Sequence, residues 1–171
     1  MSDGKIHAFK TKRGWCGIAA GSKGLKRVII PGGNNRAGVL RILRRDYPRA
    51  SEDPRGLARA VKLLKEYFAG GKVSFNLSVD LDGLTQFQKR VLRATRKVPY
   101  GRRETYSAIA RRIGRPRAAR AVGGALARNP LPIVIPCHRI IAAGGALGGF
   151  SAAGGTKVKA ALLHLETQTV Y

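Results

Sequence analysis

Residues 105–130 read TYSAIARRIGRPRAARAVGGALARNP and set the character of the C-terminal half of the chain. Apolar residues at helical spacing predict one helix that begins near Thr105. A second helix is predicted over 117–128 and ends before Asn129-Pro130, while Gly114 and Pro116 break the pattern between the two. Two short helices joined by a glycine-containing turn are typical of a helix-turn-helix.

The second of these helices is lined with small residues, and Arg117, Arg120 and Arg128 rise from it. Its adjacent glycines, Gly123 and Gly124, each weaken a helix by about 1 kcal/mol relative to alanine. They therefore indicate a surface that another backbone must approach closely. That backbone is either a nucleic-acid strand held by the arginines or a neighbouring helix of the same domain, and this pattern leaves both interpretations open.

The segments on either side of residues 105–130 also contain helix and strand patterns. Upstream, Thr85 is a suitable first residue for a helix that ends at the turn Pro99-Tyr100-Gly101. The N-terminal part predicts a three-stranded antiparallel meander, two helices and a further strand, separated by glycine-containing turns. The predicted ranges are 6–9, 15–20 and 25–30 for the meander, 39–43 and 57–68 for the helices, and 73–79 for the last strand. The turn at 80–83 suggests two domains, 1–80 and 81–171.

The charge balance points to a polyanionic partner. The chain carries 33 lysines and arginines against 9 acidic residues, a formal net charge of +24. This excess is far larger than solubility requires, and nucleic acid is the leading candidate partner. Binding to a membrane surface is the competing explanation. It ranks lower because no basic amphipathic helix with aromatic anchors is evident.

The compartment and the metal content follow from simpler counts. No apolar run approaches the length needed to cross a bilayer, and the first residues lack the apolar core of a secretion signal. We expect a cytoplasmic protein, associated with the nucleoid if the source is prokaryotic. The two cysteines, Cys16 and Cys137, are too far apart for a disulfide framework. Cys16 and His7 are too few ligands for a zinc site, so no metal and no cofactor are predicted.

The candidate reactive group lies in Ile135-Pro136-Cys137-His138-Arg139, where a thiol is followed directly by an imidazole. The thiolate is the attacking form of cysteine, and a nearby base or cation is needed to generate it. The alternative is that Cys137 is a small buried hydrophobic residue at the end of a strand. A cysteine hydrolase is a further possibility. It is disfavoured because such enzymes draw their histidine from a distant part of the chain and have no use for the charge.

Taken in order, these motifs resemble the O6-alkylguanine-DNA alkyltransferases, DNA-repair proteins that move an alkyl group from damaged guanine onto their own cysteine. The resemblance covers about the last 85 residues strongly and the first 80 in outline. The motifs that carry it are Phe87-Gln88-Lys89-Arg90-Val91, Val98-Pro99-Tyr100-Gly101, Thr105-Tyr106, 118–126, Asn129-Pro130, Ile135-Pro136-Cys137-His138-Arg139 and Gly148-Gly149-Phe150-Ser151.

The resemblance implies a catalytic role for five residues. Cys137 would attack the alkyl carbon in line, leaving restored guanine and a stable thioether, so that the protein is spent after one reaction. His138 would draw the thiol proton through a water, and Glu166 would orient and support the imidazolium. Asn129 resembles the family's hinge residue. Tyr106 would donate a proton to the departing guanine and help to rotate the nucleotide outward.

The resemblance also implies a DNA-binding surface and a base pocket. The second helix would enter the minor groove of double-stranded DNA, and Arg120 would fill the place of the flipped base. The implied DNA-contacting residues are Thr105, Arg117, Ala119, Arg120, Gly123 and Arg128. The implied pocket residues are Leu126, Ile140, Phe150, Ser151 and Ala152. The backbone N–H of Ser151 would meet O6, and the carbonyls of Cys137 and Ile140 would face the guanine amine.

Two pocket positions depart from the commoner family pattern. Phe150 stands where many members have tyrosine, and Ala152 stands where many have glycine. The methyl group of Ala152 is hypothesised to narrow the pocket against bulky alkyl groups.

The implied fold is α+β, with a small ribonuclease-H-like sheet-and-helix domain before a mostly helical domain that carries the helix-turn-helix. The implied function is single-turnover direct repair of O6-alkylguanine, and also of O4-alkylthymine, by a monomer without an obligate protein partner. A non-enzymatic class remains as the alternative: alkyltransferase-like proteins bind such lesions but lack the acceptor thiol.

Overall fold

The computed structural model describes residues 4–168, which fall into two compact units that divide between Leu81 and Asp82. The first unit contains one four-stranded sheet and two helices. The second is mostly helical, with one two-stranded sheet. The chain is therefore an α+β protein, in agreement with the predicted class.

Sheet topology in the first unit is simple. Three strands, β1 (Lys5–Thr11), β2 (Gly14–Gly21) and β3 (Gly24–Ile29), form the predicted antiparallel meander. A fourth strand, β4 (Ser51–Glu52), pairs in parallel with β1 and gives the order β3-β2-β1-β4. The sequence analysis did not predict β4, since two residues are too few to show an alternating pattern.

Helices α1 (Arg36–Asp46) and α2 (Ala58–Phe68) confirm the two predicted helical patterns. Helix α1 packs on the sheet through Val39, Leu40 and Leu43, which share a core cluster with Ile6, Ala8 and Ala19. The approach is so close that a Cβ at Gly17 would lie 2.5 Å from Val39 Cγ1. Glycine at this position lets α1 reach the sheet.

The predicted strand at 73–79 is wrong. Only an isolated bridge, between Leu25 and Val79, joins this segment to the sheet. The N–H groups of Asn76 and Leu77 donate to carbonyls two residues earlier, Ser74 and Phe75, at 3.1 and 2.9 Å. Because the backbone turns on itself there, it cannot present those groups to a neighbouring strand.

The second unit begins with α3 (Gln86–Arg96), whose cap is the predicted Thr85. The Thr85 hydroxyl accepts from the Gln88 N–H, and the Gln88 side chain accepts in return from the Thr85 N–H, so both exposed N–H groups are satisfied. Helix α4 (Tyr106–Arg112) begins beside Thr105, as predicted, and Thr105 is its cap. Helix α5 (Ala119–Leu126) is two residues shorter at each end than predicted.

A turn joins α4 to α5 and brings them into contact, and α5 also packs on α3. Gly114 adopts φ +71° in this turn, and the N–H of Arg115 donates to the carbonyl of Ala110 at 2.9 Å. This left-handed conformation favours glycine and ends α4 abruptly. Arg117 and Ala118 belong to the turn, which explains the later start of α5.

The remaining elements were not predicted. Cys137–Arg139 is a short 3-10 helix, and the strands β5 (Glu104–Thr105) and β6 (Ile140–Ile141) pair in parallel. A second 3-10 turn, Ala143–Gly145, precedes the C-terminal helix α6 (Gly155–Gln168). Helix α6 packs against the 3-10 helix that carries Cys137, and this contact builds the site.

Candidate active site

Cys137 lies at the wall of a cavity of about 610 Å³ in the second unit, with 9% of its surface exposed. Pro136 directly precedes it, and the N–H of Ile135 donates to the carbonyl of Leu131 at 2.8 Å. Cys137 thus follows a tight turn instead of ending a strand, and it is buried, as the structural alternative also predicts. The cavity is also lined by Tyr106, Ala119, Arg120, Gly123, Leu126, Phe150 and Ser151, among others.

The turn that presents Cys137 is held by Asn129. Its side-chain amide donates to the Ile135 carbonyl at 2.9 Å, and its side-chain oxygen accepts from the Leu131 N–H at 3.0 Å. Between these bonds, Ile133 is buried at φ +74°, a conformation that a β-branched residue rarely adopts. Asn129 therefore holds this turn together through both ends of its side-chain amide.

His138 and Glu166 form a buried pair behind the cysteine. The Nε2 atom of His138 lies 2.7 Å from Oε1 of Glu166, and these residues are 0% and 1% exposed. Since an ionised carboxylate only accepts hydrogen bonds, Nε2 must carry the proton. The Nδ1 lone pair of a neutral His138 is then the one available to act as a base.

Arg139 binds the same carboxylate. Its Nε lies 3.0 Å from Oε2 and its Nη2 lies 3.0 Å from Oε1 of Glu166, while Nη1 donates to the Val98 carbonyl at 2.7 Å. The Gly101 N–H donates to Oε2 at 3.0 Å. Burial alone would raise the pKa of Glu166, but the bonds from His138 and Arg139 outweigh it and lower the pKa to about 2. Glu166 is therefore ionised at neutral pH.

The acid–base state of the cysteine and histidine is set mainly by burial. Burial raises the pKa of Cys137, although a hydrogen bond from Asn129 and the charge of Lys159 act in the opposite direction. Burial also lowers the pKa of His138, against the favourable bond from Glu166. The resting site therefore contains a neutral thiol and a neutral imidazole, a pair between which a proton can be transferred.

Lys159 is a functional candidate that the sequence analysis missed. It is a fully buried lysine on α6 whose Nζ donates to the Ile140 carbonyl at 2.6 Å and to the Gly149 carbonyl at 3.3 Å. The same Nζ lies 3.4 Å from the Tyr106 hydroxyl, which places a cation between the phenol and the wall of the cavity. Burial lowers the pKa of Lys159, and the nearby Cys137 thiol raises it. No local sequence signal marks such a residue.

The predicted pocket residues are divided by the structure. Leu126, Phe150 and Ser151 line the cavity, whereas Ile140 and Ala152 are not among its lining residues. Ile140 is fully buried, and its carbonyl accepts the Lys159 bond. Tyr106 faces the cavity, and its hydroxyl lies 3.5 Å from the Gly149 carbonyl. Gly148 allows this approach because a Cβ there would lie 2.7 Å from the Tyr106 oxygen.

The predicted DNA-binding residues share one region of the second unit. Arg117, Arg120 and Arg128 are exposed, and Arg120, Ala119 and Gly123 line the cavity mouth. Thr105 has a structural task, because its hydroxyl accepts from the Ala108 N–H at 3.1 Å and caps α4.

The two glycines of α5 differ in their surroundings. A Cβ at Gly123 would make ordinary contact with the Tyr106 ring at 3.8 Å, and a Cβ at Gly124 would meet nothing within 4 Å. Close packing between helices therefore does not explain Gly124, which is exposed.

Residues 4–168 contain neither a candidate metal site nor a candidate membrane span. No group of three or more His, Cys, Asp or Glu side chains there could hold a metal ion. No helix in the same range is long and apolar enough to cross a membrane.

Comparison with known proteins matches the second unit to a DNA-binding class. The family described as "6-O-methylguanine DNA methyltransferase, DNA binding domain" matches residues 86–168. The methylated-DNA–protein-cysteine methyltransferase of Mycobacterium tuberculosis is 45% identical over 131 residues, which are 74% of this chain and 78% of that protein. The protein of the same name from Mycolicibacterium paratuberculosis is 49% identical over 116 residues, 68% of each chain.

Solved structures extend the similarity to nearly the whole chain. A crystal structure of Mycobacterium tuberculosis OGT in complex with DNA has a TM-score of 0.79 at 35% identity and covers 96% of this chain and 94% of that one. The O6-methylguanine-DNA methyltransferase of Pyrococcus kodakaraensis has a TM-score of 0.70 at 25% identity, covering 95% and 98%. The fold and the site define a DNA-binding protein with a buried cysteine as its candidate reactive group.

The chain belongs to the methylated-DNA–protein-cysteine methyltransferase family. It is accordingly a DNA-repair methyltransferase, and the predicted resemblance is confirmed.

Proposed function

We propose that this protein repairs O6-alkylguanine, and also O4-alkylthymine, in double-stranded DNA by stoichiometric and irreversible transfer of the alkyl group to Cys137. The observation that carries the proposal is the position of Cys137. It lies in a cavity bordered by the small-residue helix α5 and by Arg120, with the His138–Glu166 pair behind it. Few other reactions require a nucleophile, a general base and a basic DNA-binding surface in one site.

In the proposed reaction the Cys137 sulfur forms a bond to the alkyl carbon as the carbon–O6 bond breaks. The thiol proton passes through a water to Nδ1 of His138, and the electron pair of the broken bond stays on O6 of the guanine. Tyr106 donates a proton to the departing guanine and is reprotonated from solvent. The thioether has no leaving group that water can displace, so the protein is not regenerated.

The reacting carbon is inaccessible in a stacked base, and we therefore include rotation of the nucleotide out of the duplex. Arg120, which lines the cavity, would fill the vacated stack. Helix α5 would lie in the minor groove, where Ala119, Gly123 and the open space at Gly124 allow a phosphate backbone to approach. Arg117 and Arg128 would contact phosphates, and Thr105 would contribute through the end of α4 that it caps.

Within the pocket, the Ser151 N–H would bind O6 and the carbonyls of Cys137 and Ile140 would face the guanine amine. Leu126 and Phe150 supply apolar surface for the base. The Ile140 carbonyl already accepts from Lys159, so it would receive the amine on its second lone pair. Ala152 directly follows Ser151, which lines the cavity, and in the proposal its methyl group would disfavour bulky alkyl groups.

We further propose that α4 and α5 form a helix-turn-helix and that the sheet β3-β2-β1-β4 with its helices is ribonuclease-H-like. The corresponding domains are 1–80 and 81–171. Each protein molecule can accept one alkyl group with its own residues, which supports a monomer without an obligate partner. Its DNA substrate supports action in the cytoplasm, at the nucleoid of a prokaryote.

The test compares two cysteine variants on a duplex containing one O6-methylguanine. Cys137→Ala is expected to bind the duplex but to leave its methyl group in place. Cys16→Ala is the matched control, because Cys16 is a fully buried strand residue whose pKa burial raises to about 12. It should demethylate as the unmodified protein does. Demethylation by Cys137→Ala would refute the proposed acceptor, and lesion binding without demethylation by the unmodified protein would indicate a sensor.

A further inference from the structure

The proposed reaction assigns no role to Arg139, although this residue binds the carboxylate of Glu166. Its side chain is 5% exposed and makes two well-formed bonds to Glu166, one to each carboxylate oxygen. It is fixed from the other side by the Val98 carbonyl at 2.7 Å and by the Tyr100 ring, whose centroid lies 5.6 Å from the guanidinium carbon. A buried arginine held this firmly is unusual for a residue with a purely solvating role.

We propose that Arg139 is a positioning residue that orients Glu166 toward His138 and offsets the charge of Glu166, so that His138 is kept as a neutral base. This inference rests on the proposed function, since it concerns the base that serves Cys137. The role differs from that of the Cys-His-Glu relay itself, because Arg139 touches neither the thiol nor the DNA base.

The carboxylate of Glu166 is held at both of its oxygens. Oε1 of Glu166 is shared by His138 Nε2 at 2.7 Å and Arg139 Nη2 at 3.0 Å. Oε2 is shared by Arg139 Nε and the Gly101 N–H, both at 3.0 Å. Both oxygens are therefore fixed, and the carboxylate cannot rotate away from the imidazole. This holds the proton of His138 on Nε2 and leaves Nδ1 as the base.

The charged groups around His138 influence whether its imidazole is neutral. Within the described residues the groups that face it are Glu166 and Lys159 from α6, its neighbours Cys137 and Arg139, and, behind Arg139, the Tyr100 ring. Glu166 alone would favour the imidazolium, which cannot accept a proton from the thiol. The cations Arg139 and Lys159 oppose it and, together with burial, lower the pKa of His138.

The test is the pH profile of a single turnover at saturating duplex with one O6-methylguanine, followed by methyl gain on the Cys137 peptide. In Arg139→Gln the opposing charge is lost, so the acid limb of the rate profile should move upward by about one pH unit. The rate at neutral pH should fall and recover at higher pH. Arg41→Gln removes the same charge from an exposed position on α1 and should leave the limb in place.

A second variant separates charge from geometry and serves if Arg139→Gln does not fold. Arg139→Lys keeps the charge but loses the fork that engages both oxygens of Glu166. It should lower the plateau rate without moving the acid limb. A limb that moves in Arg139→Lys, or that stays in place in Arg139→Gln while the rate falls equally at every pH, would overturn the proposal and leave a structural role.

The same experiment separates this inference from the proposed function. Methyl gain on Cys137 in the unmodified protein with unaltered limbs in both variants overturns the role of Arg139 alone. Absence of methyl gain on Cys137 in the unmodified protein at every pH overturns both.

Discussion

At the scale of single residues, the site depends on buried charges that satisfy one another. Glu166, Arg139 and Lys159 are each nearly or completely buried, and each has hydrogen-bond partners at 2.6–3.2 Å. Removing one member of such a set leaves the others without partners, which typically costs more than the net value of the lost bond. The neutral thiol and imidazole are surrounded by these fixed charges.

Lys159→Met tests this dependence while keeping the volume and the apolar stem. The change leaves the carbonyls of Ile140 and Gly149 without this donor. Ile140 is buried, so its unsatisfied carbonyl costs about 1–3 kcal/mol, whereas Gly149 is exposed and water can replace the lysine. We expect a lower melting temperature, and slower methyl transfer because the Ile140 and Gly149 carbonyls and the Tyr106 hydroxyl lose their common donor beside the cavity.

Calorimetry and a single-turnover assay measure the two effects of Lys159→Met. Lys157→Met, two residues earlier on an exposed position of α6, is the matched control and should change neither quantity. Unaltered transfer by Lys159→Met would show that the lysine does not support the pocket.

Sequence reasoning singled out Cys137 and His138 as the candidate reactive pair but predicted only part of their surroundings. Cys137 and His138 are adjacent, so the sequence alone indicates that a thiol and an imidazole lie close together. Glu166 is 28 residues from His138 and entered only through the family resemblance. Arg139 was noted as a cation beside Cys137, but its bonds to Glu166 were not predicted. Lys159 was missed because a basic residue is expected at the surface in a chain with 33 of them. Only tertiary packing distinguishes the buried ones.

At the scale of elements, features that depend on neighbouring residues were predicted better than features that depend on distant ones. Thr85 caps α3 as predicted, and α4 begins beside Thr105 as predicted, because these start signals are local interactions within a few residues. Strand pairing depends on distant partners, and the predicted strand at 73–79 is an irregular segment instead. Helix α6 was missed because its inner side carries the polar residues Lys159 and Glu166, which interrupt the apolar periodicity.

Helix α5 gives the sharpest test at this scale. In Gly124→Ala the new methyl group meets no atom within 4 Å, so the free protein should gain up to about 1 kcal/mol of stability from the better helix former. The same methyl group would obstruct a DNA backbone that approaches α5, and affinity for duplex DNA should fall.

Denaturant unfolding and a DNA titration at one fixed salt concentration give the two numbers for Gly124→Ala. Opposite signs are expected for stability and affinity. Equal or improved DNA binding would show that α5 does not face the DNA backbone at Gly124.

At the scale of the whole molecule, the net charge of +24 and the buried site predict how stability depends on pH. The pKa of Glu166 is lowered to about 2 in the folded protein, so its contribution is complete above its ordinary pKa of 4.5 and is lost as the pH falls toward 2. That contribution is on the order of 3 kcal/mol. The lowered pKa of His138 acts in the same direction and begins to destabilise the protein below its ordinary value of 6.5.

Urea unfolding of the unmodified protein and of Glu166→Gln over a pH series measures this effect. The unmodified protein should lose stability steeply between pH 4.5 and 2, and Glu166→Gln should show a shallower loss over the same interval. Repulsion among the 33 basic residues is common to both proteins and cancels in the comparison. Parallel curves would show that Glu166 is not held ionised in the fold.

The central claim is that Cys137 becomes the permanent carrier of the alkyl group, and peptide mass analysis after mixing equimolar protein and a duplex with one O6-methylguanine tests it most directly. One methyl group should be found on the Cys137 peptide and none on the Cys16 peptide, with restored guanine in the DNA and no second turnover when more duplex is added. A methyl group lost from the DNA but absent from Cys137, or repeated turnover, would contradict the assignment of Cys137 as a suicidal acceptor.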